Sequence, residues 1–216
     1  MAALNVDTAR DSAQRAAYWP LPLVRAIPAA ALAVTITFSA DHSAAFGLTA
    51  FGIFAIVSGL AVALVAWRRL GDSGTRSYLV ALAAITAASG ILALLFREGG
   101  VAALFLVLTV FAALTGFLEL YLGLRSRRRF VAASDWLVVG SITAVAAVVF
   151  VLIPPGYQQQ FEGEQKVSGV LDSSIIAVGL LGAYAAIIAV YLLIAAFSAK
   201  WGTQSAAVPA ESEKVA

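Results

Sequence analysis

The chain has 216 residues, 62% of them hydrophobic and 12% charged, with 14 Lys and Arg against 12 Asp and Glu and no cysteine. Soluble domains carry about 25% charged residues, so this composition excludes an ordinary soluble domain and, for the bulk of the chain, intrinsic disorder. The missing cysteines exclude disulfides, thiolate catalysis and iron–sulfur clusters, and the basic balance reflects arginines at helix ends rather than a nucleic-acid surface.

Residues 1–17 are polar and mixed in charge and read as a mostly flexible tail. Six apolar runs follow: Leu21–Ser39, Phe46–Trp67, Ser77–Phe96, Val101–Leu124, Trp136–Ile153 and Leu171–Phe197. Each is close to or above the roughly 20 residues that cross a bilayer core as a helix. Together with short loops they use nearly the whole chain and leave no room for a separate soluble domain. Pro28 is the one kink candidate. Residues 202–216, with Pro209, read as a disordered tail.

A repeat organises these runs. At one constant offset Asp41 matches Glu98, Phe54 matches Phe111, Ser58-Gly59 matches Thr115-Gly116, and Arg68 matches Arg125. A weaker third copy contributes Tyr184, Ala185 and Ala189. The fold class that follows is all-α: a polytopic membrane protein of six transmembrane helices, built as three pseudo-repeated hairpins over about 21–67, 77–124 and 136–197. The first run, with Ser43-Ala44-Ala45 after it, also has the parts of a signal peptide. Removing it would orphan the second helix of the first hairpin.

Charge sets the orientation. Arg10, Arg15, Arg25, Arg68, Arg69, Arg76, Arg125, Arg127, Arg128, Arg129, Lys200 and Lys214 fall on one side, and Arg97 and Lys166 on the other. The rule predicts both termini in the cytoplasm and three outward hairpin tips. Trp19, Trp67, Tyr78, Tyr121, Trp136 and Trp201 all fall near the same, cytoplasmic interface. Arg68, Arg69, Arg125, Arg127, Arg128 and Arg129 are placed to touch lipid headgroups there. The longest outer segment, from Pro154-Pro155-Gly156 to Val170, reads as a loop able to serve as a lid or a partner surface.

Three groups of residues could carry function. Small residues four apart, Ala55/Gly59, Ala112/Gly116 and Ala185/Ala189, predict close helix contact within the chain, in a homo-oligomer, or with a membrane-protein partner. Glu119 lies six residues before Arg125, about 9 Å deeper by helical rise. A carboxylate at that depth is either an interface acid, satisfied by Arg76, a hydroxyl or water, or a proton or cation site. At the outer tips stand Asp41, His42, Arg97, Glu98 and Asp172, which read as solvated helix ends or as a pH-responsive outer face, since a histidine ordinarily changes charge between pH 5 and 8. Asp41, His42 and Glu98 lack metal-ligand spacing, so no metal is expected. Gly71-Asp72-Ser73-Gly74 lacks the lysine and the length of a phosphate-binding loop. There is no Gly-x-Ser-x-Gly elbow and no His-Glu-x-x-His. No catalytic residue or cofactor is expected, and the bilayer itself is the one certain partner.

The stretch Phe54-Ala55-Ile56-Val57-Ser58-Gly59 leading to Arg68-Arg69, and its match Phe111-Ala112-Ala113-Leu114-Thr115-Gly116 leading to Arg125, resemble the HdeD-like family of small bacterial inner-membrane proteins. The resemblance covers about residues 20–200. It implies a bacterial plasma-membrane location and a non-enzymatic role of stress or acid-response type, and it supplies no catalytic residues. Two other roles are compatible with the residues: an accessory subunit of a larger membrane complex, and a small proton-coupled transporter or channel using Glu119.

Overall fold

A computed structural model describes residues 11–70, 73–127, 129–162 and 168–206. Six long helices dominate it: α1 (Pro20–Phe38), α2 (Ala44–Arg69), α3 (Ser73–Leu95), α4 (Gly100–Ser126), α5 (Ala133–Leu152) and α6 (Ser173–Ala206). Each is long and apolar enough to cross a membrane. Their outward faces stay apolar: Leu106 is 65% and Phe117 70% exposed. Water would not tolerate such a surface over the whole molecule, whereas lipid requires it. The chain is a multi-pass integral membrane protein.

Local chemistry fixes the helix boundaries. Pro20 opens α1, where its missing N–H costs nothing. Ser43 caps α2 by accepting a hydrogen bond from the Phe46 N–H at 3.2 Å. At the start of α6 the Asp172 carboxylate accepts from the Ile175 N–H at 2.9 Å and from the Ser174 hydroxyl at 2.7 Å. These bonds satisfy helix-end donors that would otherwise be orphaned.

The structure departs from the sequence reading in four places. First, residues 11–17 of the predicted tail are helical, in a segment that runs to Tyr18. Gln14 ties them down, donating to the Arg129 carbonyl at 3.4 Å and accepting from the Val131 N–H at 3.3 Å. Tyr18 is buried against Phe130 and Trp136, with ring centroids 6.0 Å from each. Second, the outer segment forms an antiparallel pair, β1 (Gln158–Glu162) with β2 (Ser168–Asp172), in the register Gln158↔Asp172 to Glu162↔Ser168. Its glutamine run has no apolar alternation to betray a strand. Third, α6 starts after that strand, at Ser173, and continues to Ala206, past the predicted membrane end. Residues 207–216 of the predicted tail lie outside the described residues.

The fourth departure concerns packing. The most extensive helix contacts are α2 with α3, α4 with α5, and α1 with α6, not the members of each predicted hairpin. Glycine explains two of these. A Cβ on Gly59 would stand 2.7 Å from the Ala83 carbonyl oxygen and 2.9 Å from Ala87. A Cβ on Gly116 would stand 2.8 Å from the Ala144 nitrogen. Gly59 and Gly116 are related by the repeat offset, and so are Ala87 and Ala144. Both contacts are backbone-to-backbone approaches of the kind small residues permit in membranes. Ala55 and Ala112 are buried near them, and Ala185 and Ala189 are buried in α6, Ala189 in one cluster with Ala26 and Ala29 of α1. These small-residue faces are therefore covered within the chain and are not free for a partner.

Tight backbone contacts cannot yield to an added methyl group without helix displacement. We predict that Gly116→Ala destabilises the bundle by about 1–3 kcal/mol, read as a lower unfolding temperature in detergent. Gly179→Ala, where nothing lies within 4 Å of the new Cβ, should show no such loss. Equal behaviour of the two variants would reject close packing at Gly116.

Candidate functional site

The centre of the bundle holds the pair of charges that an apolar core least tolerates. Arg25 projects from α1 and Glu119 from α4, and the Arg25 guanidinium donates directly to the Glu119 carboxylate. Glu119 is 2% exposed and the Arg25 side chain 16%. An isolated charge here would cost several kcal/mol, so each ion is the condition for the other's burial. Gly140 of α5 makes room beside the acid, since a Cβ there would come within 3.0 Å of the Glu119 Cβ.

Hydroxyl groups complete the surroundings. A cavity of about 30 Å³ is lined by Arg25, Glu119, Ser58, Thr86, Thr115, Thr143 and Tyr184, among apolar neighbours. Thr86, Thr115 and Thr143 each donate to the carbonyl one turn back, those of Leu82, Phe111 and Val139, at 2.7–2.8 Å. Their hydrogens are thus used, and their oxygens remain as acceptors. Tyr184 lies 3.0 Å from the Thr143 hydroxyl. With the Thr143 hydrogen already given to Val139, Tyr184 is the donor in that bond. The site is an ion pair set among oriented oxygens, able to hold charge and to pass or accept a proton at the carboxylate.

The repeat explains the lining but not the charges. Ser58 and Thr115 occupy matching positions of the repeat, as do Thr86 and Thr143. Glu119 has Val62 at its matching position and Arg25 has Leu82, and both of those residues also line the cavity. Opposite charges thus meet at two positions that are apolar in the matching copy of the repeat.

Arg25 corrects the sequence reading twice. It is not a flanking cation, because it is inside α1 and paired with Glu119. It, and not Arg76, satisfies Glu119. Arg76 instead lies over the Trp67 ring, 5.2 Å from its centroid. The available signal was an arginine set inside an apolar run together with one deep acid in another, which within a membrane are expected to pair.

The outer candidates are engaged locally. Asp41 accepts the Ser43 N–H at 2.8 Å, and that bond holds its carboxyl below the ordinary aspartate range. Asp172, capping α6, is likewise held low, first by the Ser174 hydroxyl and then by the Ile175 N–H. Glu98 pairs with its neighbour Arg97 at 3.1 Å on the exposed surface, and His42 is half-buried beside Asp41. At the other end Arg68, Arg69, Arg125, Arg127 and Arg129 are all exposed, and Arg69, Arg125 and Arg129 also line one cavity. Arg128 lies outside the described residues.

Sequence reasoning missed a second polar cluster. Tyr191 of α6 donates to the Asp135 carboxylate of α5 at 3.1 Å. Both line a cavity of about 280 Å³ with Arg15 and Tyr18. The cluster joins the 11–18 segment to α5 and α6, and Asp135 also sits in the first turn of α5, where negative charge is favoured.

Comparison with protein-family models, curated proteins and solved structures finds no match. The geometry itself therefore carries the functional reading.

Because the Asp172 carboxyl is lowered in the fold, its contribution is full above the ordinary aspartate value of about 3.9 and is lost as pH falls through the lower folded value. We predict that Asp172→Ala costs about 1 kcal/mol at neutral pH, as other helix caps do. The gap between variant and parent should close only in strong acid. A gap that closes already between pH 5 and 7 would contradict the assigned cap.

Proposed function

We propose that this chain is a non-enzymatic protein of a bacterial plasma membrane, with both termini cytoplasmic, belonging to the stress- and acid-response type that HdeD-like proteins represent. The observation that carries this reading is the central Arg25–Glu119 pair, which joins α1 to α4 through a charge that a proton can cancel. Protonation of Glu119 leaves Arg25 buried without its counter-ion, which favours separation of α1 from α4. Acid reaching the site would thus change the bundle without any catalytic step. Orientation is supported by the charge bias, which still stands at eleven flanking cations against two once Arg25 is set aside.

Proton-coupled transport is the second reading, and the hydroxyl-lined cavity around Glu119 favours it. Both readings use the same carboxylate, but they differ in whether anything crosses.

Three outcomes separate them. In cells lacking this protein, the parental chain should restore survival of an acid challenge. Glu119→Gln mimics the protonated acid, so at neutral pH it should already show the protease sensitivity that the parent acquires only in acid. A neutral-pH cleavage pattern of Glu119→Gln identical to the parent's, or survival that never depended on the protein, would refute the stress role. In vesicles, the transport reading instead predicts a proton or solute flux that Glu119→Gln abolishes, and unchanged flux would remove this residue from any transport path.

A further inference from the structure

A second cavity lies away from the central pair, at the end of the bundle where the 11–18 segment, α2, α3 and α4 meet. Its volume is about 620 Å³, within the range of small-ligand sites, about 300–1,000 Å³. Three arginines line it from two different connections: Arg69 from the end of α2, Arg125 from the end of α4, and Arg129 from the turn that follows. No Asp or Glu is among its described lining residues, and neither ion pair found among the described residues involves these arginines.

The rest of the wall is built to match. Tyr78 of α3 presents its ring beneath Arg125, 5.7 Å from the guanidinium carbon. Arg125 also donates to the Tyr121 hydroxyl at 3.2 Å. These contacts hold one guanidinium in place before any ligand arrives. Gln14 closes another side, because the 11–18 helix is fastened to the Arg129 carbonyl and the Val131 N–H. The floor is apolar, with Leu70 and Leu122 buried. Membrane topology requires cations on this side of the protein, but it does not require three of them to converge on one cavity. Arg68, Arg69, Arg125, Arg127 and Arg129 are all exposed, and Arg68 and Arg127 are not among the lining residues.

We infer that this cavity binds a phosphate group. Guanidinium forks match phosphate oxygens two at a time, and three of them supply the charge that a phosphate monoester or diester needs. The apolar floor and the position at the helix ends suit a phosphate carried on a lipid headgroup, and a soluble phosphate compound offers the same chemistry. The inference does not depend on the role of the central pair.

The test uses full-length protein in detergent with three probes: phosphatidylglycerol, phosphatidylcholine and inorganic phosphate. Native mass spectrometry reads lipid retention, and thermal unfolding against matched chloride reads phosphate. We expect at least tenfold preference for phosphatidylglycerol over phosphatidylcholine if the source is lipid, or a raised unfolding temperature in phosphate alone if the source is soluble. Arg125→Gln with Arg129→Gln should abolish whichever effect is seen. Arg68→Gln with Arg127→Gln, which removes the same charge, should leave it intact. Arg125→Lys with Arg129→Lys keeps the charge that orients the chain and should weaken binding several-fold, which guards against misinsertion of the Gln variant. Equal losses from the two Gln pairs, or no preference and no phosphate effect in the parent, would overturn the assignment.

Discussion

Everything in this bundle is arranged around a salt bridge between a buried carboxylate and a largely buried guanidinium. Removing a carboxylate and a guanidinium from water costs several kcal/mol per ion, which their mutual attraction offsets only when the geometry is good and the remaining lone pairs are satisfied. That constraint dictates the neighbours. Gly140 brings α5 close to Glu119, and Thr86, Thr115, Thr143 and Ser58 line the small cavity beside the pair. It also dictates the order of the helices, because α1 and α4 must both reach the centre. In the sequence these two helices belong to different hairpins.

The pairing of helices follows from a separate rule. In lipid there is no hydrophobic gain from bringing helices together, so close backbone approach decides which pairs form. Gly59 on Ala83 and Ala87, and Gly116 on Ala144, are two instances of one contact, displaced by the repeat offset. The repeated framework thus supplies the packing, while the charged pair breaks the repeat at its centre. A buried ionic interaction of this kind is weak as simple glue, since well-packed apolar residues can replace such pairs with no loss of stability. Its presence at two positions that are apolar in the matching copy points to a role in switching or in specifying one arrangement of helices.

Much of this is legible in the sequence, and the rest is hidden for physical reasons. Six apolar runs become six helices, because length and hydropathy alone decide what can span a bilayer. The matched Gly59 and Gly116 mark close contacts, but a small residue says only that something approaches, not which helix. Arg25 sorts with the flanking cations in sequence because position along the chain does not reveal which way a side chain turns. Its counter-ion is 94 residues away, beyond any local pattern. Mixed charges obscure the 11–18 helix, and its anchorage depends on Gln14 and Tyr18 finding partners near residue 130. The outer strand pair has glutamines where alternation would be sought.

A double-mutant cycle in the folded protein measures the coupling between Arg25 and Glu119. Arg25→Met, Glu119→Met and the double variant would be compared with the parent by unfolding in the same detergent. Each single change strands one buried ion and should cost about 3–5 kcal/mol. The double variant replaces both charges with apolar side chains and should recover most of that loss. Costs that simply add, with the double variant worse than either single one, would mean that the two residues act independently and that the bundle is not organised around their pairing.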